Sequence, residues 1–398
     1  MNKTINKCNI CNSKRLSSIF KMPNFPLTGI YLNSKKQKLK RFDNEFLICS
    51  NCNHGQLKKQ ISSNFLYDNS YTHRTGQSKS ASGSNDDFLN NLINIKKNKK
   101  FTNILEIGCN DLHLTKKLVK FAKEKVFGID PIWKNKIYVN SKIKIIGGFI
   151  DNKKDFENLK LKINKAKIDL VVSSHTFEHV GDFFNSIKNI SSIVDENCIF
   201  VIETPSLDSI IRLGRYDQIF HQHLHYPSEN SYLSLINQLG CEYMGHMYNH
   251  RVWGGNVTFW FKKNKKNKKK IKNLKFKNKL NINSIKKKFS LFKKNLPEKI
   301  SFLKSQNKQI SGFGAAQMLP ILAYYGKTNF NFLKFLFDDD PRRQNKYLPL
   351  ISKKIVKSNN KILNDNFILI TGLDSSRSII QRLVRENPKR ILTIIDNF

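Results

Sequence analysis

Three histidines and a tyrosine lie within six residues of one another, at His221, His223, His225 and Tyr226. An imidazole titrates near neutral pH, so it can accept a proton from carbon and release it again. A single histidine of this group could be a hydrogen-bonded core residue, but three are costly to bury without partners. The cluster therefore predicts acid–base chemistry, with a packing role for its members as the alternative.

A second polar cluster follows an apolar segment and contains Ser174, His175 and His179. If that segment is a strand, these side chains face a cofactor and a substrate at its carboxyl end. His175 and His179 are four residues apart, which on a helix would place both on one face. That spacing raises the question of a metal site. No carboxylate or third histidine at a suitable spacing completes one, so we expect no metal here.

A nucleoside-binding pattern lies nearer to the N-terminus, at Glu106, Gly108, Asn110 and Asp130. In a doubly wound sheet the ligand lies outside the carboxyl ends of the strands. Gly108 would let the backbone approach it, and an acidic residue about twenty positions later can accept both ribose hydroxyls. The turn lacks the full G-x-G-x-x-G phosphate motif. The pattern therefore favours S-adenosylmethionine, which carries no phosphate, over a dinucleotide.

Four of the seven cysteines form two C-x-x-C pairs, Cys8 with Cys11 and Cys49 with Cys52. Each pair can form a tight turn that aims two thiolates at one point, and two such turns complete a tetrahedral zinc site. The alternative is that these are cytosolic thiols at chance spacing. No open coordination position is evident, so the predicted zinc is structural. The segment between the pairs should form a loop or a small hairpin.

Apolar strands alternate with amphipathic helices in two parts of the chain, at 103–205 and after residue 309. Such alternation predicts a doubly wound, mainly parallel sheet in the first part and a second α/β unit at the C-terminus. Between them, apolar residues recur at three- and four-residue steps from Ile285 to Leu303, which predicts a long amphipathic helix. The lysine-rich tract at 262–288 is interpreted as its solvated face and a linker.

The 70 lysines and arginines, against 30 aspartates and glutamates, give a formal net charge of +40. A field of this size attracts polyanions. The excess is mostly lysine, however, and is spread along the chain together with many asparagines and isoleucines, as an AT-rich genome imposes. A nucleic-acid site should instead be rich in arginine and aromatic residues. The composition therefore disfavours nucleic acid as a partner.

The length of 398 residues predicts two or three domains. No apolar run reaches the roughly 18 residues of a membrane-spanning helix, and the N-terminus lacks the apolar segment of a secretory signal. We therefore expect a cytoplasmic protein without a membrane span. The sequence gives no indication of the oligomeric state.

Several of these motifs occur, in the same order, in one known family. The segments ILEIGCND at 104–111, EHVGD at 178–182 and HQHLHYPS at 221–228 resemble the deoxysugar C-methyltransferases, which methylate C3 of nucleotide-linked 4-keto-deoxysugars. The four N-terminal cysteines, the Gly-Gly of VWGGNVTFWF and the closing GFGAA…DDDP unit match that family's three-part layout. The resemblance thus covers essentially the whole chain.

The resemblance implies an α/β protein with a Rossmann-like methyltransferase sheet at residues 63–262. It also implies a small zinc-binding domain at 1–62, a basic linker and helix at 263–300, and a C-terminal Rossmann-like domain at 301–398 that helps to hold the nucleotide sugar. The implied cofactor is S-adenosylmethionine, the implied metal is structural Zn²⁺, and the implied substrate is a nucleotide-linked sugar.

The resemblance also implies roles for individual residues. His223 falls where the family has its candidate general base, His179 where it has a second active-site histidine, and Tyr71 in the stretch with a substrate-side tyrosine. His221 belongs to the same predicted catalytic segment. The implied mechanism is proton abstraction beside the ketone, which gives an enolate that attacks the sulfonium methyl group. Groups that stabilise charge on the ketone oxygen would lower the barrier.

Four positions depart from the family pattern: Leu112 replaces a glycine, Phe220 a tyrosine, Gln222 a glutamate and Trp253 a histidine. The loss of a phenol and a carboxylate leaves open O- or N-methyl transfer to a related substrate, which needs only positioning and a modest base. A binding protein that has lost its chemistry is another alternative. A nucleic-acid methyltransferase is a third, although no N/D-P-P-Y/F motif follows the fourth strand.

Overall fold

The structure is a computed structural model in which four β-sheets are connected by helices. It describes residues 3–37, 39–62, 66, 74–96, 100–251, 253–264, 279–306 and 308–395. Within these ranges the sheets have two, four, eight and five strands. The two-stranded sheet pairs Lys3–Thr4 with Lys59–Gln60. No helix in the described ranges is long and apolar enough to cross a membrane.

The eight-stranded sheet is the central one, and its five middle strands are parallel to one another. Alternate residues of these strands pack into two separate apolar clusters, one on each face of the sheet. Burial on both faces explains the continuous apolar runs in the sequence. The predicted doubly wound α/β fold is confirmed. In spatial order the strands are Glu242–Asn249, Asn256–Lys262, Ile199–Pro205, Ile168–Ser174, Asn103–Ile107, Val126–Asp130, Ile143–Gly147 and Tyr138–Val139.

The four-stranded sheet is antiparallel and lies next to the N-terminal cysteines. Its order is His225–Tyr226, Gly55–Leu57, Phe42–Cys49 and Leu16–Phe25. The last two strands form the hairpin predicted between the cysteine pairs. The edge strand His225–Tyr226 comes from the histidine cluster and pairs with Gln56 and Gly55. Backbone pairing therefore attaches that cluster to the cysteine-bearing part of the chain.

The five-stranded sheet is the C-terminal α/β unit, and all its described neighbours are parallel. Its order confirms the second α/β unit predicted from the sequence: Ile355–Val356, Leu336–Phe337, Ile310–Phe313, Phe367–Ile370 and Arg390–Thr393.

The described α-helices alternate with these strands and end at short loops. They are Lys79–Lys96, His113–Leu118, Lys153–Lys162, Phe183–Ile193, Leu207–Leu213, Glu229–Gln238, Ile282–Ser305, Leu319–Tyr325, Asn360–Asn364 and Ser376–Glu386. Short 3-10 turns lie at Thr75–Gln77, Val119–Phe121, Pro131–Trp133, Phe177–His179, Tyr216–Gln218 and Leu373–Ser375. One of these turns, Phe177–His179, carries the candidate site residue His179.

The predicted amphipathic helix is confirmed as Ile282–Ser305, which begins at an Asn281 cap. Its buried face enters one apolar cluster that also contains residues of the N-terminal hairpin, the central unit and the C-terminal sheet. Phe289 of this helix stacks on Phe20 with ring centroids 3.7 Å apart. Since each buried large apolar side chain contributes roughly 1.5–3 kcal/mol, this helix joins the three parts firmly.

Candidate active site and metal centre

One cavity of about 940 Å³ opens where the parallel strands of the central sheet end. This is near the upper end of the range for one small-molecule pocket, roughly 300–1,000 Å³. Residues of the N-terminal and C-terminal parts, such as Tyr31, Gln317 and Ser375, complete its wall. Eight residues singled out in the sequence line it: Glu106, Gly108, Asn110, Asp130, Ser174, His175, His179 and His223.

Asp130 ends the strand Val126–Asp130 and is 7% exposed. Its Oδ1 accepts a hydrogen bond from the Ile132 N–H at 2.9 Å, and its Oδ2 accepts one from the Asn110 N–H at 2.9 Å. Burial raises the pKa of Asp130, although these two N–H groups oppose the shift. Each carboxylate oxygen has a second lone pair. The side chain can therefore accept two hydrogen bonds from a diol in the cavity.

Glu106 is a second carboxyl group in the wall of the cavity and is 3% exposed. The hydroxyl of Thr115 donates to its Oε2 at 2.5 Å. Burial raises the pKa of Glu106 to about 8. A cationic ligand nearby would favour the ionised carboxylate, so this end of the cavity suits a positively charged group.

Position 108 requires a glycine for two reasons, a close contact and a left-handed backbone conformation. Its φ is +80°, and a Cβ at this position would lie 1.9 Å from the Thr176 hydroxyl oxygen. Leu112, which replaces a family glycine, also has a left-handed φ of +68° and is buried. A leucine rarely adopts this conformation, so the position retains a glycine-like backbone without the glycine.

His175 lies between two buried carboxylates that the sequence did not single out. Its Nδ1 is 3.0 Å from Glu178 Oε1, and its Nε2 is 3.4 Å from Glu203 Oε1. Burial lowers the pKa of His175, but the two carboxylates outweigh burial and raise it to about 9. Ser174 donates to the same Glu203 oxygen at 3.1 Å. One sequence signal was present: Glu203 is the one charged residue in its apolar strand Ile199–Pro205.

His179 and His223 come together at the cavity although they are far apart in the sequence. Their ring centroids are 4.9 Å apart. His179 donates from Nδ1 to the backbone oxygen of Gln222 at 2.8 Å, which places its lone pair on Nε2. The Nδ1 of His223 is buried and has no hydrogen-bond partner in the described structure. Burial, with smaller effects of His179 and His175, lowers the pKa of His223, so the ring is neutral.

The other two histidines of the cluster lie outside the lining of this cavity. His221 is 2% exposed, with Nδ1 3.2 Å from Asn44 Nδ2, and burial lowers its pKa to about 4. His225 has Nδ1 3.2 Å from His54 Nε2, and its Nε2 lies 2.9 Å from the backbone oxygen of Val180. Both rings therefore occupy packing positions, the alternative that the sequence left open. Tyr71 lies outside the described residues.

Gln222 uses both ends of its amide to bind the N-terminal part of the chain. Its Oε1 accepts from the Thr28 hydroxyl at 2.9 Å, and its Nε2 donates to the Thr28 backbone oxygen at 3.4 Å. A carboxylate could accept the first hydrogen bond but could not donate the second. The amide therefore anchors the loop that carries His223.

Besides the four N-terminal cysteines, Glu178, His179 and His223 form a set of residues able to bind a metal ion. Each offers one ligand atom, and these atoms lie within 4.8 Å of one another. In the sequence, the pair His175 and His179 has no third metal ligand at a suitable spacing. The structure pairs His175 with carboxylates instead, and it supplies the third ligand from a loop more than forty residues away.

The four N-terminal cysteines lie together and form no disulfide. Cys8 Sγ and Cys52 Sγ are 3.5 Å apart, and Cys11 Sγ and Cys49 Sγ are 3.6 Å apart. Sulfurs around a tetrahedral zinc ion are about 3.8 Å apart, because each Zn–S bond is about 2.3 Å. The donor set therefore fits zinc.

The two cysteine turns have the same construction. In each, the asparagine after the second cysteine has a φ of +60°, at Asn12 and Asn53. Each asparagine N–H donates to the backbone oxygen of the first cysteine, at 3.0 and 2.9 Å. The complete local motif for this turn is therefore C-x-x-C-N. The cysteines were identified from the sequence, but the final asparagine was not.

A cationic wall closes the cavity on the side of the C-terminal sheet. It consists of Arg342, Arg343 and Lys346, which follow the strand Leu336–Phe337. Arg343 lies over the ring of Tyr31, 5.5 Å from its centroid, and 3.2 Å from Asp338. These residues were missed because nothing in their own sequence context distinguishes them from the many other basic residues.

His113 is a further lining residue that the sequence did not reveal. Its Nε2 is buried without a hydrogen-bond partner in the described structure, as is Oδ1 of the nearby Asp111. The other Asp111 oxygen accepts from the Gly76 N–H at 2.8 Å. Unpartnered buried polar atoms beside a cavity are accounted for when a polar ligand occupies it.

Two family matches cover most of the chain. Residues 79–245 match the family described as "Methyltransferase domain", and residues 252–385 match the "C-methyltransferase C-terminal domain". The chain therefore contains a methyltransferase domain followed by a C-methyltransferase C-terminal domain. This confirms, at the level of C-methyltransferases, the family predicted from the sequence. A curated relative, C-methyltransferase NovU of Streptomyces niveus, is 26% identical over 89 residues, which is 22% of this chain and 21% of that protein.

Solved methyltransferase structures resemble this protein only in part. The N-methyltransferase NodS of Bradyrhizobium japonicum WM9, in complex with S-adenosyl-L-homocysteine, is 13% identical; the match covers 47% of this chain and 88% of that one, with a TM-score of 0.33. Magnesium protoporphyrin IX methyltransferase (ChlM) of Synechocystis PCC 6803, with bound S-adenosylhomocysteine, is 11% identical, with coverages of 46% and 84% and a TM-score of 0.34.

Proposed function

We propose that the protein transfers a methyl group from S-adenosylmethionine to a carbon atom of a nucleotide-linked 4-keto-deoxysugar. One observation carries the proposal: a single cavity of about 940 Å³ has buried carboxylates, a neutral His223 and a cationic wall in its lining. Its volume lies near the upper end of the usual range for a ligand pocket. The matches to the two family models and the sequence motifs support the same reaction class.

The donor would occupy the part of the cavity at Glu106, Gly108 and Asp130. When bound, S-adenosylmethionine supplies an electrophilic methyl group on a positively charged sulfur. Asp130 has lone pairs for the ribose hydroxyls, and the sulfonium cation would favour the ionised form of Glu106, whose pKa burial raises to about 8. The unpartnered Nε2 of His113 provides one more polar contact.

The nucleotide part of the acceptor would lie against Arg342, Arg343 and Lys346. Arginines bind phosphate oxygens through paired N–H groups, and lysine acts as a point charge. Tyr31 offers a ring surface next to Arg343. This assignment gives the C-terminal sheet the role of holding the nucleotide. The division of the chain at 1–62, 63–262, 263–300 and 301–398 stays a proposal from the sequence, and the helix Ile282–Ser305 crosses its last boundary.

His223 would act as the general base. Its neutral ring can accept a proton from the carbon beside the ketone, and the enolate left behind is the nucleophile. His179 is held by Gln222 next to it and can donate or accept a hydrogen bond at the same substrate. We assign His221 to packing, because it does not line the cavity.

Cys8, Cys11, Cys49 and Cys52 would hold one structural Zn²⁺. The sulfur spacing supports this assignment, as does the position of the cysteines in the same apolar cluster as Phe183 and Tyr232 of the central unit. Filling all four positions with thiolates leaves no site for a substrate, so the ion would stabilise the fold.

Incubation of the full-length protein with methyl-labelled S-adenosylmethionine and a panel of keto-sugar nucleotides tests the proposal. We expect label in the sugar of at least one acceptor, at a carbon next to the ketone, and we expect none in the matching sugars without a ketone. Label on oxygen or nitrogen would replace C-methylation with the alternative chemistry. Label in RNA, with none in any sugar, would refute the assignment.

A further inference from the structure

We propose that Glu178, His179 and His223 bind a divalent transition-metal ion such as Zn²⁺, and that an ion bound there blocks methyl transfer. Binding of the metal ion is inferred from the geometry of the three residues alone. The block rests on the proposed function, because it assumes that His223 is the base.

The ligand set is the first argument. Two imidazoles and one carboxylate are a common protein contribution to zinc and iron sites that keep open coordination positions. All three residues line the cavity, so an ion has access from solution. Their ligand atoms lie within 4.8 Å of one another, whereas donors around a tetrahedral zinc ion are about 3.3 Å apart, because each Zn–N bond is about 2.0 Å. Small rotations of the two rings would close that gap.

Two of these residues each have a buried polar atom without a partner, which is the second argument. Glu178 is 0% exposed, and its Oε2 accepts no hydrogen bond in the described structure. The Nδ1 of His223 is also buried without a hydrogen-bond partner in the described structure. Leaving a buried carboxylate oxygen unpartnered is costly. A bound cation would satisfy the oxygen.

The neighbours of the ligands are the third argument. The other Glu178 oxygen, Oε1, is held by His175 at 3.0 Å, and the Nδ1 of His179 is held by the Gln222 backbone oxygen at 2.8 Å. Metal-binding histidines usually donate their second N–H to a backbone oxygen or a carboxylate, and metal-binding carboxylates are themselves hydrogen-bonded. Two of the three side chains are therefore already oriented as ligands.

Metal binding and base catalysis exclude each other at His223. A neutral imidazole has one nitrogen with a lone pair, and the other nitrogen carries hydrogen. If the lone pair binds an ion, the ring cannot accept a proton from substrate. The same residues would therefore act either as a metal site or as a catalytic site, according to the free zinc concentration.

Titration of the full-length protein with Co²⁺, without stripping the cysteine site, tests the binding. We expect one equivalent that gives weak visible bands and no thiolate charge-transfer band, because no sulfur is a ligand. His179→Asn and Glu178→Gln should each weaken this binding at least about tenfold. His250→Asn is the matched control, since His250 lies outside the cavity lining and bonds Ser209. Absence of this equivalent, or its retention in His179→Asn, would overturn the proposal.

Measuring methyl transfer at increasing Zn²⁺ concentration tests the block. We expect complete, chelator-reversible inhibition, with half-inhibition at least about tenfold higher in Glu178→Gln, which keeps the base but loses a ligand. Zn²⁺ that leaves turnover unchanged, or accelerates it, would refute the block. If no acceptor is methylated at all, the proposed function fails, whereas the Co²⁺ titration still decides whether the metal site exists.

Discussion

His223 is the residue on which the proposed chemistry depends most. Its ring packs 4.1 Å from that of Phe220 and 4.9 Å from that of His179, centroid to centroid. Burial, with smaller effects of His179 and His175, lowers the pKa of His223. The ring therefore stays neutral next to the carboxylate-rich part of the cavity and keeps a lone pair for the substrate.

His223→Ala should abolish methyl transfer and leave the affinity for S-adenosylhomocysteine within about threefold, because the base does not hold the donor. Turnover of labelled donor and calorimetric binding of S-adenosylhomocysteine measure the two effects. His250→Asn, outside the cavity lining, should change neither. Full activity in His223→Ala would show that another group takes the proton.

Asp130→Asn should weaken binding of S-adenosylhomocysteine by about 10–100-fold, because hydrogen bonds to a charged acceptor contribute roughly 1.5–3 kcal/mol. The matched control is Asp169→Asn at the amino end of the central strand Ile168–Ser174, where the carboxylate accepts from the Thr102 N–H at 2.8 Å. That variant should lose stability without losing affinity. Unchanged affinity in Asp130→Asn would remove Asp130 from the donor site.

Among the secondary-structure elements, the strand ends and the turns that follow them set the positions of the cofactor residues. The turn after Asn103–Ile107 needs a glycine because Thr176, from the turn after the neighbouring strand, approaches Gly108 closely. Gly83, in contrast, lies inside the helix Lys79–Lys96, and a Cβ there would meet nothing within 4 Å. The two glycines therefore have opposite expected effects on stability.

Gly108→Ala should destabilise the fold by about 2–5 kcal/mol, from the left-handed backbone and the clash with Thr176 together. Gly83→Ala should stabilise it by about 0.5–1 kcal/mol, because alanine is the better helix former. Urea unfolding of both variants measures the difference. A stabilised Gly108→Ala variant would contradict the close contact described above.

The two cysteine turns form another element whose effect can be measured. Removing the proposed zinc with a strong chelator should lower the melting temperature, and Cys52→Ser should lower both zinc content and melting temperature. The reason is that Cys49 and Cys52 share an apolar cluster with the central unit. Cys198→Ser, at another buried thiol, should leave zinc content unchanged. Zinc retained in full by Cys52→Ser would contradict the four-cysteine site.

At the scale of the whole molecule, a buried ion pair joins the central unit to the C-terminal unit. Arg215, 5% exposed, donates two hydrogen bonds of 2.8 Å to Asp217 and one of 2.9 Å to Asp374. Gln218 also donates to Asp374, at 2.9 Å, and both residues line the cavity. The wall of the cavity therefore depends on this junction.

Arg215→Ala should destabilise the protein by about 3–5 kcal/mol, because it leaves two buried carboxylates without their cation. Lys160→Ala, which removes an exposed partner 3.8 Å from Glu157, should cost about 0.5 kcal/mol or less. Denaturant unfolding monitors both. Equal effects of the two substitutions would show that the Arg215 junction is not buried in solution.

The positive charge of the chain is not concentrated at the cavity. Its lining contains six lysines and arginines and also six aspartates and glutamates. This distribution agrees with the sequence-based interpretation that the net charge of +40 comes mainly from diffuse lysines.

Much of the fold and part of the site could be predicted from the sequence. The parallel strands and the helix Ile282–Ser305 follow from short-range apolar periodicity, and Asp130 and Gly108 follow from their positions at strand ends. The roles of Glu178 and Glu203 could not be assigned from periodicity or strand ends. They depend on His175, whose ring lies between the two carboxylates in the tertiary structure. His221 and His223 have the same local sequence context but opposite environments, one packed and one at the cavity.

The sequence by itself determined the features that are local in the chain: the cysteine turns, the strand ends and the amphipathic helix. Their spacing fixes them, because neighbouring residues share one element. Only the tertiary structure decided which histidine meets the cavity, which carboxylates surround His175, and that Arg342 and Arg343 lie in the same cavity as Asp130. These contacts join segments from different sheets, and their distances depend on how those sheets pack.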